Sequence, residues 1–382
     1  MSKGAQGTAT ITGVAHGGHG IFRLDGRVCF VPGALPGDTI AYRVDREQKG
    51  VLWATMLEVF EPSPDRVAVD VPLHGGNQWL PFAYPAQGEW KQRIVSDCLE
   101  RIAGIEAEVT FLEDANLRTG YRTRATIHGD GKKTGFYARG TKDIVGVEQC
   151  RLLHARLNGA LATLRELCMQ GSVDVTVNPD GDDVLVWTRD FNGKLAKHFT
   201  AYNWLKDDQR RHFFPFDGAP IVNGAFSQAS LLLNRLLVHR VHELLAGAHS
   251  VLDLYCGNGN LTITLPLEVD VTGIDHNRAA INAANGIRDG AYRFGKGREF
   301  REALQGNWDA VVLDPPREGA KEIVEALCAC KASRMLYVSC DPAALARDLK
   351  GLTGADWRIA DVTVIDMFPH TPHVETLVHL SR

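Results

Sequence analysis

The distal part of the chain alternates short apolar runs with stretches of helical period. Apolar runs at 250–255, 269–275, 308–314, 334–340, 362–367 and 376–380 predict strands, and the amphipathic stretch 229–245 predicts a helix ahead of them. Strands separated by helical patterns imply βαβ units and a largely parallel sheet. The first sixty residues read differently. Short β-like runs at 8–12, 20–24, 28–31, 39–44 and 51–60 are broken by Gly and Pro turns, the pattern of a small barrel. Glu61-Pro62-Ser63-Pro64 then reads as a linker. Between these regions the pattern is mixed, with helices predicted over 90–103 and 154–168 and β-like pieces around them. The expected architecture is α/β in three parts: a small β-barrel over 1–62, a mixed α+β domain over 63–215, and an open-sheet α/β domain over 216–382. The helix over 90–103 is a candidate to pack with the last of these.

Composition narrows the class without naming it. No apolar stretch in the 382 residues approaches the ~20 needed to span a bilayer, so no membrane partner is expected. The opening Met1-Ser2-Lys3-Gly4-Ala5-Gln6-Gly7 lacks the apolar core of a signal peptide, and the cytoplasm is the expected location. The eight cysteines are scattered with no CxxC pair, which suits small buried hydrophobes in a reducing compartment. A net charge of −4 means that any nucleic-acid surface is local. Residues 118–142 offer one: Arg118, Arg122, Arg124, Lys132, Lys133, Arg139 and Lys142 stand against Asp130 alone, with Tyr121, Phe136 and Tyr137 interleaved. Cations for phosphate plus aromatic faces for bases suit a single strand. The same residues read equally well as a solvated hairpin face around Gly129-Asp130-Gly131. Arg23 and Arg27 in the barrel would add a second grip.

Chemistry in open α/β sheets gathers beyond the carboxyl ends of the strands, and four predicted strand ends carry chemistry here. The run Val251-Leu252-Asp253-Leu254 leads into Tyr255-Cys256-Gly257-Asn258-Gly259-Asn260, a Gly turn through which the backbone can approach a ligand. Asp275 closes the next strand, placed for ribose hydroxyls. The third glycine of the dinucleotide fingerprint is missing, which argues against NAD and suits S-adenosylmethionine, a ligand without phosphate. Asp314-Pro315-Pro316-Arg317 follows another strand, its prolines fixing the direction of Asp314. Cys340, in Ser339-Cys340-Asp341-Pro342, stands where a nucleophile would be placed. Each has a plainer alternative: a packing turn, a strand-ending carboxylate, a buried cysteine. Cys256 also sits beside the Gly turn and is the weaker nucleophile candidate.

Taken in order, Phe226-Ser227-Gln228, the 253–260 segment, Asp314-Pro315-Pro316-Arg317-Glu318-Gly319, Ser339-Cys340-Asp341-Pro342 and Asp366-Met367-Phe368-Pro369-His370-Thr371-Pro372-His373-Val374-Glu375 resemble the motifs of the RNA uracil-C5 methyltransferase family, which makes 5-methyluridine. The N-terminal region resembles the TRAM RNA-binding domain that many members carry. The resemblance implies a Rossmann-like class I methyltransferase domain, S-adenosyl-L-methionine as methyl donor and structured RNA as substrate, ribosomal RNA favoured over transfer RNA. It implies Cys340 as nucleophile and Glu375 as general base. Gln228, Tyr255, Gly257, Gly259, Asn260, Asp275 and Asp314 would surround the methyl donor, with Gln228 and Asp314 also near the uracil. Position 275 is usually Glu in relatives, and Asp keeps the charge with a shorter reach. Arg122 and Arg124 are the substrate-binding candidates. Many relatives hold an iron–sulfur cluster on four cysteines. Here the corresponding stretch reads His74-Gly75-Gly76-Asn77-Gln78 and only Cys150 survives, so no cluster and no metal are expected. Ser230 stands where relatives usually carry Asn. No obligate protein partner is expected, and a monomer is the default.

The chemistry explains the residue types. Carbon 5 of uracil is a poor nucleophile. A thiolate adding at C6 makes C5 electron-rich, and a base must later remove the C5 proton so that the thiol can leave. A free thiol has pKa about 8.5, so the surroundings are expected to ionise Cys340 in part, with Arg317 or Arg347 supplying the positive field. Two other functions compete. A base-amine methyltransferase would use Asp314-Pro315-Pro316 alone, leaving Cys340 dispensable. A non-catalytic RNA-binding protein would have no physical need for Cys340, Glu375 and Asp314 together.

Overall fold

The computed structural model describes residues 4–207 and 211–382. Met1–Lys3 of the N-terminal reading lie outside the described residues. The first sheet has six strands in the order Gln6–Thr10, Thr39–Gln48, Val51–Glu61, Arg27–Pro32, His19–Leu24 and Gly13–Ala15. Alternate residues, among them Phe22, Val31, Ile40, Tyr42 and Leu52, point into one core, as a period of two requires. The linker is tied to this barrel. Asp38, buried, accepts from Ser63 N at 2.9 Å and pairs with Arg66 at 2.5 Å. Burial works against its charge, but Arg66 and the backbone N–H groups of Ser63 and Leu35 outweigh it and hold the carboxyl below its usual range.

A second six-stranded sheet runs Ile144–Gly146, Thr134–Tyr137, Arg124–Asp130, Gln170–Val177, Val184–Thr188 and Ala201–Trp204. Helix Ala155–Glu166 packs against it. The hairpin expected around Gly129-Asp130-Gly131 is present, with Asp130 accepting the N–H groups of Lys132 and Lys133.

The third sheet has eight strands. Its order is Tyr292–Phe294, Asp270–Asp275, Ser250–Leu254, Ala310–Leu313, Arg334–Ser339, Glu375–Ser381, Arg358–Ile365 and Thr110–Leu112. All neighbours are parallel except Glu375–Ser381, which runs antiparallel between two others. The central strands are buried on both faces. Val251, Val312 and Leu336 meet Leu233, Leu237 and Val241 of helix Leu231–Leu245, while Leu252, Leu313 and Tyr337 meet Leu345 and Leu349 of helix Pro342–Thr353. That is why these strands read as continuous apolar runs rather than alternating ones. The architecture is the expected one: a strand-rich N-terminal region, a mixed α/β middle and a Rossmann-like core. No helix among the described residues is long and apolar enough to cross a membrane.

Two features differ from expectation. The helix predicted over 90–103 is Tyr84–Cys98 followed by a π-helical turn, Leu99–Ala103. It starts earlier because Pro85 occupies the first turn, where its missing N–H costs nothing. The strand Thr110–Leu112 joins the third sheet beside Arg358–Ile365. Residues 84–112 therefore pack with the distal sheet rather than with the central one.

Candidate active site

The Gly turn follows Ser250–Leu254. Tyr255 has φ +60, Gly257 +56 and Gly259 +79, a left-handed run that reverses the chain within five residues. At Gly259 a β-carbon would also meet Tyr292 at 2.8 Å. At Gly257 it would meet nothing within 4 Å, so the turn presents bare backbone to open space. Asp275 braces this turn from the next strand: Gly257 N donates to Oδ2 at 3.1 Å and Asn277 N to Oδ1 at 2.7 Å. Asn260 and Asn234 exchange reciprocal amide hydrogen bonds of 3.0 and 2.7 Å, pinning the turn to helix Leu231–Leu245. The Tyr255 ring lies edge-on to Phe300 at 4.6 Å, on the side of Glu322 and Asp348, so its part in the turn is made by its backbone. Beneath the turn Asp253 is fully buried and accepts from Thr262 at 2.6 Å. Burial, partly offset by that bond, pushes its carboxyl up to about 8.

Three more side chains converge from separate strand ends. Asp314 follows Ala310–Leu313, Cys340 follows Arg334–Ser339, and Glu375 opens the antiparallel strand, opposite Ile365. Asp341 caps helix Pro342–Thr353 by accepting from the N–H groups of Ala343 and Ala344, which fixes the backbone next to Cys340. Glu375 is 3% exposed, while Asp314 is partly open to solvent. Burial and the neighbouring Asp314 raise Glu375 well above the ordinary carboxylate range, and burial pushes Asp314 up to about 7. Two carboxyls this close in a poorly solvated site do not both ionise easily. Asp314 is the more open of the two, and an ionised Asp314 disfavours ionisation of Glu375.

The same field acts on Cys340. Burial, then Glu375 and Asp314, push its thiol up to about 11, with Arg317 pulling the other way. This corrects the expectation of a partly ionised cysteine: the site is buried and acidic, so the free protein holds a thiol. It also separates the two arginines. Arg347 is engaged with Asp348 at 2.7 Å and the Glu318 carbonyl at 2.6 Å, and Arg317 is the cation that acts on the sulfur. Cys256 is buried beside Asp253 and Asp275, and burial first, then those two carboxyls, push its thiol well above the ordinary range.

Gln228 is buried, in the segment leading to helix Leu231–Leu245. Ser230 caps that helix by accepting from Leu233 N at 3.0 Å and donates to the Tyr121 carbonyl at 2.7 Å. Arg124 donates to the Ser227 carbonyl at 3.2 Å and its guanidinium stands 5.9 Å from the ring of Phe226, which is 67% exposed. Arg122 donates to the Arg124 carbonyl at 3.1 Å. Burial, then Arg317, Arg122, Lys91 and His16, hold His373 down to about 4, so the approach to Glu375 is cationic around a neutral imidazole. The sequence does not mark His373 and Asn234 as site residues. His373 lay within a motif already marked, but nothing local signals Asn234.

The basic 118–142 segment is not one surface. Tyr121 is fully buried and donates to the Pro369 carbonyl at 2.9 Å, so it offers no base a face. Arg118 pairs with Glu113, and Arg139 donates to the Gly17 carbonyl of the barrel. Phe136 stacks on His74, and Tyr137 on His128 at 3.6 Å. His74 stands 3.7 Å from Cys150, with Asn77 accepting from His74 N at 2.7 Å. Among the described residues no three His, Cys, Asp or Glu side chains are grouped so as to hold a metal ion. A cleft of about 550 Å³ lined by Thr126, His128, Trp187 and Phe191 lies on the central sheet, apart from Cys340.

Known proteins resemble this chain along its length. Residues 297–382 match the family model for tRNA (uracil-5-)-methyltransferase, and residues 3–57 match the TRAM domain. The 23S rRNA (uracil(1939)-C(5))-methyltransferase RlmD of Pseudomonas putida is 30% identical, the match covering 95% of this chain and 91% of that protein. That of Dechloromonas aromatica is also 30% identical, covering 96% and 98%. Among solved structures, the tRNA (uracil-54, C5)-methyltransferase of Pyrococcus abyssi in complex with S-adenosyl-L-homocysteine superposes with a TM-score of 0.78 at 26% identity, covering 98% of this chain and 99% of that one.

Proposed function

The chain belongs to the RNA uracil-C5 methyltransferase family, and from that premise we propose that it methylates C5 of a uridine in structured RNA, ribosomal RNA before transfer RNA, through a covalent bond from Cys340 to C6. One observation supports this reading above the others. Cys340, Asp314 and Glu375 come from three different strand ends and lie close enough to govern one another's protonation. A base-amine methyltransferase would use Asp314 and leave the other two idle.

The Gly turn fits S-adenosylmethionine: Gly257 leaves space where a side chain would stand, and Asp275 and the Asn234–Asn260 pair hold the turn open. When bound, that donor supplies an electrophilic methyl group on a sulfonium. Gln228 and Asp314 orient the uracil edge, and Phe226, Arg124 and Arg122 line its approach. A base inside a folded RNA must leave its stack to reach them.

The proton inventory then runs through the two carboxyls. As Cys340 Sγ bonds to C6, its proton passes to ionised Asp314. Neutral Asp314 can donate a hydrogen bond to the enolate oxygen that forms. Neutralising Asp314 lifts the lesser of the two influences that hold the proton on Glu375; burial, the larger, remains, and Glu375 must still lose that proton to water before it can act as base. With the methyl group on C5, Glu375 takes the C5 proton. The electrons of that C–H bond restore the C5–C6 double bond and break C6–S, and the leaving sulfur recovers a proton from Asp314. Each turnover releases one proton to water and returns every residue to its starting state.

The test is methyl transfer from labelled S-adenosylmethionine to in vitro transcribed 23S rRNA and to tRNA, with the product nucleoside identified. The proposal expects 5-methyluridine, lost in Cys340→Ala. Full turnover by Cys340→Ala would refute it.

A further inference from the structure

The strand bearing Glu375 is preceded by a loop, residues 366–374, that is gripped from outside its own sheet. Helix Tyr84–Cys98 supplies most of the grip. Lys91, fully buried, donates to Asp366 Oδ1 at 2.6 Å and to the Phe368 carbonyl at 3.0 Å. Tyr84 donates to Asp366 Oδ2 at 2.5 Å. Gln87 accepts from His370 N at 2.9 Å, at the point where the loop takes a left-handed turn with φ +60. Trp79 N donates to the His370 carbonyl at 2.9 Å, and Tyr121 holds the Pro369 carbonyl.

The barrel closes the other side. The Gly17-Gly18 turn abuts Pro372 so closely that a β-carbon on Gly18 would fall well inside contact of the Pro372 ring, and Gly18 has φ +74. Arg139 holds this turn by donating to the Gly17 carbonyl at 2.8 Å. The loop is thus fixed at both ends of its 366–372 span by parts of the chain that carry none of the reacting groups. Three residues beyond Pro372 lies Glu375.

We propose that Lys91 and Gly18 are positioning residues, which seat the 366–374 loop between helix Tyr84–Cys98 and the N-terminal barrel and thereby aim Glu375 at the C5 proton. The inference rests on reading Glu375 as the base. It gives the barrel a second task beside holding RNA: completing the active site. Helix Tyr84–Cys98 also packs against helix Pro342–Thr353, but the clamp bonds of Lys91 and Tyr84 and the close approach of Gly18 are made to the 366–374 loop, not to the segments that carry Cys340 and the Gly turn. Loosening the clamp therefore slows the proton-abstraction step selectively and leaves bond formation and methyl transfer nearly intact.

The experiment is single-turnover kinetics on an RNA that the wild-type chain methylates, beginning with transcribed 23S rRNA. Methyl transfer and release of the protein–RNA adduct are followed separately, the adduct by denaturing gel. Gly18→Ala, Tyr84→Phe and Lys91→Met are compared with Glu375→Gln, after thermal melts show which variants fold. The folded clamp variants are expected to transfer methyl within about twofold of wild type and to release the adduct at least tenfold more slowly, so that methylated adduct accumulates. Should Lys91→Met not fold, Gly18→Ala and Tyr84→Phe carry the test. Equal slowing of both steps, or unchanged release, overturns the proposal. If Glu375→Gln accumulates adduct and the clamp variants do not, the clamp alone is refuted. If Glu375→Gln does not accumulate it, the base assignment beneath the clamp fails as well.

Discussion

Replacing Lys91 by methionine removes one partner of an ion pair that has no access to water: the side chains of Lys91 and Asp366 are 0% and 1% exposed. The stem of methionine fills nearly the same volume, so the cost is electrostatic rather than a cavity. Breaking a buried pair from one side costs about 3–5 kcal/mol, because the remaining charge loses its partner and cannot recover water. Asp366 keeps two donors, Tyr84 OH at 2.5 Å and Phe368 N at 3.3 Å, which places the expected loss at the lower end, about 3 kcal/mol. For a cooperative unit of roughly 150–250 residues that corresponds to a fall in Tm of about 6–12 °C. The assay is a double-mutant cycle by thermal and urea unfolding. Asp366→Asn removes the charge while keeping an acceptor for Tyr84, so Lys91→Met/Asp366→Asn is expected to recover most of the loss, with a coupling of at least about 2 kcal/mol. A single-variant loss below about 1 kcal/mol, or a coupling near zero, would mean that the pair does not hold the loop and that its burial is incidental.

Other consequences are as direct. A thiol raised to about 11 is mostly protonated at neutral pH, so alkylation of Cys340 in the free protein should be slow at pH 7 and accelerate as pH rises toward 11. Asp314→Asn removes one of the carboxylates that raise it, and peptide-level mass spectrometry should then show faster alkylation at fixed pH; an unchanged rate would remove Asp314 from the sulfur's surroundings. Gly259→Ala places a β-carbon 2.8 Å from Tyr292 at a left-handed φ, and calorimetry with S-adenosylhomocysteine should show at least a tenfold loss of affinity in a protein that still folds. On the barrel, Trp53 lies 4.9 Å from both Phe30 and His19 with Arg46 at 5.2 Å, a surface suited to a nucleobase. Trp53→Ala should weaken RNA binding by the about 1–3 kcal/mol of one stacked base, raising KM and leaving kcat unchanged.

The strand ends were legible because both faces of the distal sheet are covered. Runs such as Leu336-Tyr337-Val338 are apolar throughout, so Cys340 and Asp314, just past the ends of such runs, stand out at the edge of a core. The Gly turn was legible for a similar reason, since its glycines answer to left-handed φ values rather than to distant contacts. The clamp was not legible. Lys91 pairs with a residue 275 positions away, and its only local trace is a lysine on the buried stripe of Gln87, Ile94 and Val95. Strand Thr110–Leu112 is too short to register as a run, and its partner is Arg358–Ile365. The protonation of Cys340 is not legible in its motif, which names the side chain and not its dielectric: burial and the nearby carboxyls outweigh Arg317 only once three strand ends meet.

5-Fluorouridine placed in the RNA substrate probes the covalent bond between Cys340 and C6 of a uracil. Fluorine at C5 cannot leave as a proton, so Glu375 has nothing to remove and C6–S cannot break. The expected result is a denaturation-resistant protein–RNA adduct that carries the transferred methyl group, requires S-adenosylmethionine and maps to Cys340. Methylation of ordinary RNA by a protein that forms no such adduct, or an adduct that persists in Cys340→Ala, would contradict it.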